Sequence, residues 1–476
     1  MKLTFFWTPR PRVSRFRPAV AIATLLTLGE LGMAASYAGQ RPPRGEFPDD
    51  AGGVRTISVN GPIDLRNPFF QVLGTNGRAC VTCHQPAFGW SITPEHVRER
   101  FEATRGRDPL FRTNDGSNSP NADVSTVEAR RKAYSMLLTK GLIRVGIGIP
   151  DNAEFELVAV DDPYGYASAK ELSLFRRPLP ATNLRFLSAV MWDGRETVQP
   201  MSIQPLGGSE APNVAALLFD LMHQANGATT GHAQAAQDLT EAQKEQIVAF
   251  ETGLYTAQSE DRKAGNLAAR GALGGPETLA SFPFYIGIND NVADPNGPFD
   301  PNSMQLYAAW ANSRNPHRRA IARGEQLFIS KPIRITGVKG LNDNPYFGSP
   351  QEVVGTCTTC HNTPNIGNHS LSIPLDIGIS DASRRTPDLP LYTLRNRTTG
   401  ALIYTTDPGR ALLTGKWADI GKFKGPALRG LTARAPYFHN GSAAALEEVV
   451  EFYDTRFHIG LTAEEKQDLV AFLKAL

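Results

Sequence analysis

The clearest pattern of polar and apolar positions in this chain occurs twice. Residues 239–250 read LTEAQKEQIVAF and residues 461–472 read LTAEEKQDLVAF. In each, polar positions lead into an apolar face at helical spacing, made by Ile247, Val248 and Phe250 in the first and by Leu469, Val470 and Phe472 in the second. Each has its own start signal, Thr240 with Gln243 and Thr462 with Glu465, the arrangement of a capping box. A further helix is predicted over VEARRKAYSMLLTKGL from Val127. Strand signals are few, EFELVAV at 154–160 being the best, so the pattern predicts a mainly α protein.

Between these elements lie two stretches without periodicity. FRTNDGSNSPNADVST, from Phe111, reads as loop, and YIGINDNVADPNGPFDPNS, from Tyr285, reads as a linker between two halves. The second half then opens near RRAIARGEQLF at Arg318.

Composition changes this picture little: 476 residues, 41% hydrophobic and 20% charged, are ordinary for a globular protein of two or three domains. The N-terminus is less ordinary. Lys2, Arg10, Arg12, Arg15 and Arg17 precede the apolar run AVAIATLLTLGELGMAA, which ends in Ser36, Tyr37 and Ala38. This is the layout of a secretory signal peptide over 1–38, cut after Ala38, and it implies a periplasmic protein. Glu30 interrupts the run well short of the ~20 apolar residues a retained membrane anchor needs. No later segment is apolar enough to span a bilayer. Without residues 1–38 the chain carries 44 basic and 46 acidic residues, a balance that gives no reason to expect nucleic acid or an anionic membrane as partner.

The chemistry lies in the cysteines. There are four, and all stand in C-x-x-C-H: Cys80, Cys83 and His84 in GRACVTCHQPAFGW, and Cys357, Cys360 and His361 in GTCTTCHNTP. Two C-x-x-C pairs have the number of ligands for a zinc site, but zinc leaves both histidines without a role. A redox dithiol needs one pair only. Covalent haem uses all six residues, the thiols adding to the vinyl groups and the histidine becoming the axial iron ligand.

Each C-x-x-C-H is followed by one of the twin helices, so the chain reads as two cytochrome c-like haem domains in tandem. Cys80 to Leu239 is 159 residues and Cys357 to Leu461 is 104, so the first domain contains a long insertion, placed at about 91–167. The expected boundaries are 39–265 for the N-terminal domain, 266–318 for the linker and 319–476 for the C-terminal domain.

Together with MWDGRE at 191–196, FKGPALRGLTARAPYFHNGS at 423–442 and LEEVVEFYD behind it, this layout resembles the bacterial di-haem cytochrome c peroxidases. Their superfamily also holds the di-haem enzyme that matures the methylamine dehydrogenase cofactor and a rubber-cleaving oxygenase. The resemblance runs from about Pro68 onward and leaves the insertion outside it.

The resemblance implies peroxide chemistry at the N-terminal haem and electron entry at the C-terminal one, with Trp192 between them. It implies Tyr453, fourteen residues after His439, as sixth ligand of the second haem, with His439 a hydrogen-bonding residue nearby. The chain adds that its last methionine is Met304, so the second half has no methionine to offer. His369 and His458 have ligand chemistry too, and Tyr453 also falls on the apolar face of a helix with Leu446, Val449 and Val450. On the distal side of the first haem the family carries a glutamine, a proline and an acid-base glutamate. Glu210 and Pro205 fall within a position of the last two, while Gln204 aligns less cleanly with the first. A calcium ion between the haems is implied as well, although Arg177 or Pro178 stands where its asparagine is expected. Asn183 is near, and Arg434 and Pro436 have carbonyls to offer.

The expected function is thus a periplasmic oxidoreductase, two covalently bound haem c groups reducing hydrogen peroxide with electrons from a small cytochrome c or cupredoxin, in a chain that pairs as a homodimer as in many of these relatives. An oxidase or oxygenase acting on an organic substrate or a partner protein is the alternative enzyme. A pure electron carrier needs a second protein ligand at the first haem, for which the sequence has no motif.

Overall fold

Both twin helices form where the pattern places them. The computed structural model describes residues 45–197, 210–290, 294 and 296–476, without the side chains of residues 210–213. The signal segment 1–38 lies outside the described residues. In helix Glu241–Thr252 the Thr240 hydroxyl accepts the Gln243 N–H while the Gln243 side chain accepts the Thr240 N–H. In helix Ala463–Lys474 Thr462 and Glu465 do the same. Each box satisfies two N–H groups that a helix start otherwise leaves unpaired.

The twin helices close equivalent cores. Phe250 packs on Phe69 at 4.9 Å between ring centres, and Phe69 lies 6.2 Å from the His84 ring at 49°. In the second half Phe472 packs on Phe328 at 5.5 Å, and Phe328 lies 5.9 Å from His361 at 48°. The same three-ring wedge thus backs each C-x-x-C-H loop. Phe328 comes from helix Pro316–Ser330, whose capping residue Asn315 is followed by proline. Its Gly324 lets this helix meet the closing helix: a Cβ there would stand 1.9 Å from the Asp468 carbonyl oxygen.

Among the described residues ten α-helices accompany eleven strands in four sheets, more strand than the sequence pattern predicts. The strand expected at EFELVAV is Phe155–Asp161. It pairs antiparallel with Leu391–Asn396, Leu394 facing Leu157, which ties the insertion to the second half of the chain. Leu391–Asn396 pairs in turn with Leu402–Thr405. A second sheet joins Gly52–Ser58 to Leu254–Asp261, the segment leaving the first closing helix. Short strands of this kind carry weak periodicity, since each is fixed by its partner rather than by its own pattern. The helix expected from Val127 is broken into Val127–Ala133 and Ser135–Lys140 by Tyr134, which is buried and donates its hydroxyl to the Phe111 carbonyl.

Residues 42–476 form one compact unit. Much of 266–318 is packed within it: Leu267, Met304, Leu306, Tyr307 and Trp310 are buried in one cluster with Phe328 and Phe472. Glu325 fixes this segment by accepting the N–H groups of Leu306 and Tyr307.

Candidate active site

Each C-x-x-C-H motif is a single helical turn. The His84 N–H donates to the Cys80 carbonyl at 3.0 Å, and the His361 N–H to the Cys357 carbonyl at 3.1 Å. Each ring is then fixed through Nδ1, which lies 3.0 Å from the Trp90 carbonyl oxygen in His84 and 2.6 Å from the Gly367 carbonyl oxygen in His361. A ring that donates from Nδ1 presents its Nε2 lone pair, the arrangement of a metal-ligating histidine. Burial pushes both imidazoles down to about 4, which keeps them in the neutral form that binds iron.

All four cysteines are free thiols, and burial raises every one, Cys357 and Cys360 to about 12. Among the described residues no three His, Cys, Asp or Glu side chains are grouped as metal ligands, so the two C-x-x-C pairs do not join into a zinc site.

The first loop opens on a cavity of about 1640 Å³, counting the part continuous with solvent, that runs from Cys80, Cys83 and His84 past Trp192 to Arg429 and Arg434. Its walls are mainly apolar, with Leu184, Leu187, Val190 and Leu221 on one side and Leu110, Ile143 and Val145 from the insertion on another. Lys424, Arg429 and Arg434 line its far end. Lys424 and Arg429 are buried and Arg434 is half-buried, and among the described residues they make no ion pair: Lys424 donates to the Ala189 carbonyl, Arg429 to the Asn365 carbonyl, and Arg434 to those of Gly430, Ala427 and Arg429. Nε and Nη1 of Arg429 have no hydrogen-bond partner among the described residues. Burial lowers Lys424 to about 7 and both arginines to about 10.

Buried cations need an anion. The donor set of thiols, neutral imidazoles and cations without an ion pair fits haem c, whose propionate carboxylates would supply that charge once it is attached. At the near end Glu251 is buried with Oε2 unpartnered, and burial raises its carboxyl to about 8.

Trp192 lies on this cavity's wall and is held at both ends. Its indole N–H donates to the Arg177 carbonyl at 2.8 Å, and its carbonyl accepts the Lys424 N–H at 2.9 Å. Its ring meets His439 edge-on at 6.3 Å, and His439 stacks on Phe423 at 4.0 Å. His439 is 3% exposed with Nε2 3.8 Å from Asp407 Oδ2, beyond hydrogen-bond length, and burial lowers it to about 4. Asp407 holds Arg176 through two bonds at 2.7 and 2.9 Å, and Arg176 holds Asp193 of the WDGR segment at 2.5 Å. Arg176 and the neighbouring Arg195, 3.2 Å away, hold Asp193 down at about 2 against the opposing effect of burial.

Arg176, Asp407, Lys424 and Glu251 escaped the sequence reading, because no spacing relates 176 to 407. The one available signal was a charged residue inside an otherwise apolar strand, LSLFR.

Tyr453, on helix Leu446–Phe457, packs in the cluster that holds Cys357 and Cys360 together with Ile333, Ile335 and Phe457. Burial and the neighbouring thiols raise its phenol, so that ionising it needs a cation in contact. Glu210 begins helix Glu210–Gly231, while its side chain, Gln204 and Pro205 lie outside the described residues. The carbonyl of buried His369 accepts the Ser188 hydroxyl, and His458 caps the end of helix Leu446–Phe457.

Calcium does not fit the residues present. Both side-chain ends of Asn183 are taken by the main chain of Thr256, at 2.8 and 2.9 Å, and the Arg434 carbonyl accepts from the Arg177 guanidinium.

No protein-family model matches the chain. It is 35% identical over 236 residues to the cytochrome c551 peroxidase of Nitrosomonas europaea, covering 47% of this chain and 63% of that one. It is 34% identical over 245 residues to the cytochrome-c peroxidase IdrP1 of Denitromonas iodatirespirans, covering 46% and 61%. Over these stretches the chain is similar to bacterial cytochrome c peroxidases. It spans between about a third and just under two thirds of the length of the curated relatives it matches. Among solved structures it resembles a MauG-like protein associated with microbial copper homeostasis, at 16% identity and a TM-score of 0.38 over 91% of this chain and 93% of that one. The diheme peroxidase BthA of Burkholderia thailandensis superposes at a TM-score of 0.29 and 16% identity, over 91% and 95%.

Proposed function

We propose that this chain is a periplasmic di-haem c-type oxidoreductase that reduces hydrogen peroxide. The observation that carries the proposal is the repeated wedge: two C-x-x-C-H loops, each with its histidine fixed through Nδ1 and backed by its own pair of phenylalanines in like arrangement. Haem c, once attached at each loop, supplies the redox iron at which peroxide takes up two electrons and two protons to give two waters.

The remaining roles belong to side chains. Cys80 and Cys83, and Cys357 and Cys360, anchor the two groups in an N-terminal domain over 39–265 and a C-terminal domain over 319–476. The Nε2 atoms of His84 and His361 are the protein ligands, and Tyr453 is the second ligand at the His361 site. Lys424, Arg429 and Arg434 balance the carboxylates. Trp192 carries electrons from the second site toward the first, steadied by His439. Glu210, with Gln204 beside it, moves the peroxide protons, as an acid-base group must for O–O cleavage. A small cytochrome or cupredoxin supplies the electrons, and the chain functions as a homodimer.

Tyr453 favours one other reading. A phenolate ligand stabilises oxidised iron, as in catalase, which suits an oxidase or oxygenase holding oxidising equivalents better than a relay.

Electron paramagnetic resonance of the fully loaded ferric protein, with peroxide consumption by the half-reduced form, tests the proposal. One high-spin and one low-spin iron with rapid consumption is the expected result. Two low-spin irons that stay so on half-reduction, with peroxide untouched, make the chain an electron carrier.

A further inference from the structure

Arg177 sits where three parts of the chain meet, its guanidinium buried among carbonyl oxygens. Nη1 donates to Lys140 at 3.2 Å and Gly141 at 3.0 Å. Nη2 donates to Ile92 at 2.5 Å, Arg434 at 3.2 Å and Ala435 at 3.4 Å. Ile92 follows the first attachment loop, Lys140 and Gly141 end a helix of the insertion, and Arg434 and Ala435 belong to the TARAPYFHNG segment of the second half. Gly141 makes the room: its φ is +61°, and a Cβ there would stand 2.0 Å from Nη1. The main chain of Arg177 reaches the other way. Its N–H donates to the His439 carbonyl at 2.6 Å, and its carbonyl accepts the Trp192 indole N–H at 2.8 Å.

A ring of main-chain carbonyls from separate segments is what a calcium ion gathers, usually with carboxylates to complete its shell. Here the ring converges on a guanidinium, whose planar fork directs its donors at fixed angles and whose charge is tethered to the chain. Among the described residues Arg177 makes no ion pair; the carbonyl dipoles face its guanidinium, and burial with the neighbouring Arg434 charge lowers it to about 9.

We infer that the Arg177 guanidinium is a built-in cation standing in place of a bound calcium ion, locking the insertion to both attachment modules and fixing Trp192 and His439 between them. The protein then neither holds nor needs calcium. From the proposed function this takes only the role of Trp192; metal content and the response to calcium test it apart from any activity.

The experiment uses the haem-loaded protein dialysed against a calcium chelator. Elemental analysis is expected to find no stoichiometric calcium, and added calcium to leave the thermal midpoint and the resonance spectrum unchanged. One calcium per chain surviving dialysis, or a midpoint that rises with calcium, overturns the inference. Arg177→Asn removes the charge and puts an amide oxygen beside the freed carbonyls. It is expected to lower the midpoint, shift the ferric lines as Trp192 and His439 lose their anchor, and respond to calcium in both readouts. Arg177→Lys, which keeps the charge with fewer donors, is expected to fall between. An Asn variant with the wild-type midpoint, or one destabilised yet indifferent to calcium, overturns the inference. If the Asn variant does not accumulate, Gly141→Ala displaces the guanidinium instead and is read in the same way.

Discussion

The two C-x-x-C-H loops are alike behind and different in front. Behind, Phe69 and Phe250 back His84 as Phe328 and Phe472 back His361, with ring tilts that agree within a degree at the histidine. In front, the first loop faces a large cavity ringed by leucines, valines and unneutralised cations, whereas the second shares a tight apolar cluster with Tyr453. The wedge is repeated, and the two loops differ in the walls that face them.

The sharpest way to break that comparison is to attack the wedge. Phe69→Ala and Phe328→Ala each remove a ring wedged among other rings, and each is expected to destabilise the protein by ~3–5 kcal/mol in urea unfolding. The losses should match within the spread such sites show. If only one of the two variants is destabilised, the wedges are not equivalent and the tandem reading fails.

Next in size is the buried charge network beside Trp192 and His439. Asp407→Asn leaves Arg176 with Asp193 alone in a region with almost no solvent, and breaking a buried pair on one side costs about 3–5 kcal/mol. The same variant removes the carboxylate nearest His439 and so alters the surroundings of Trp192. A variant as stable as the wild type would mean that the Arg176 charge is balanced elsewhere.

Tyr453→Phe sharpens the contrast of the two fronts at little cost in packing. It deletes one hydroxyl from an apolar cluster, so stability is expected to move by under ~1 kcal/mol. The effect to measure is spectroscopic: the lines of one ferric haem should change and those of the other should not. Two unchanged sets of lines would leave Tyr453 a core residue.

How far each part was legible in the sequence follows from its range. The closing helices were readable because a capping box and an apolar stripe are local, as Thr240, Gln243 and Phe250 show. The two C-x-x-C-H turns were readable as candidates because thiol and imidazole chemistry fixes their spacing. The strand at Leu391–Asn396 was not readable, since it exists through Phe155–Asp161, over two hundred residues away. Arg176 with Asp407 was invisible for the same reason, and the resemblance placed Arg177 and Arg434 near one another without showing that the guanidinium takes the carbonyl. The segment 266–318 read as a linker because Gly, Pro, Asn and Asp dominate its middle, whereas Met304, Leu306, Tyr307 and Trp310 pack in the core with Phe328.

The smallest expected effect is a dependence on pH that differs between the regions. Near the first loop Glu251 is buried without an ionic partner and raised from 4.5 to about 8, so the folded protein keeps a proton that the unfolded chain has released. The stability this group contributes is full below 4.5 and is lost as pH rises toward 8. Beside Trp192, His439 is lowered from 6.5 to about 4, so the unfolded chain binds a proton that the folded one refuses, and stability falls as pH drops through that window. Glu251→Gln keeps the shape and removes the titration. Its urea midpoint is therefore expected to exceed the wild type's by an amount that grows from pH 4.5 to 8, while the decline on the acid side, to which His84, His361 and His439 all contribute, is unchanged. A variant that tracks the wild type across the alkaline window would show that Glu251 ionises in the folded protein, and hence that haem or solvent at that end of the cavity offers its carboxylate a partner.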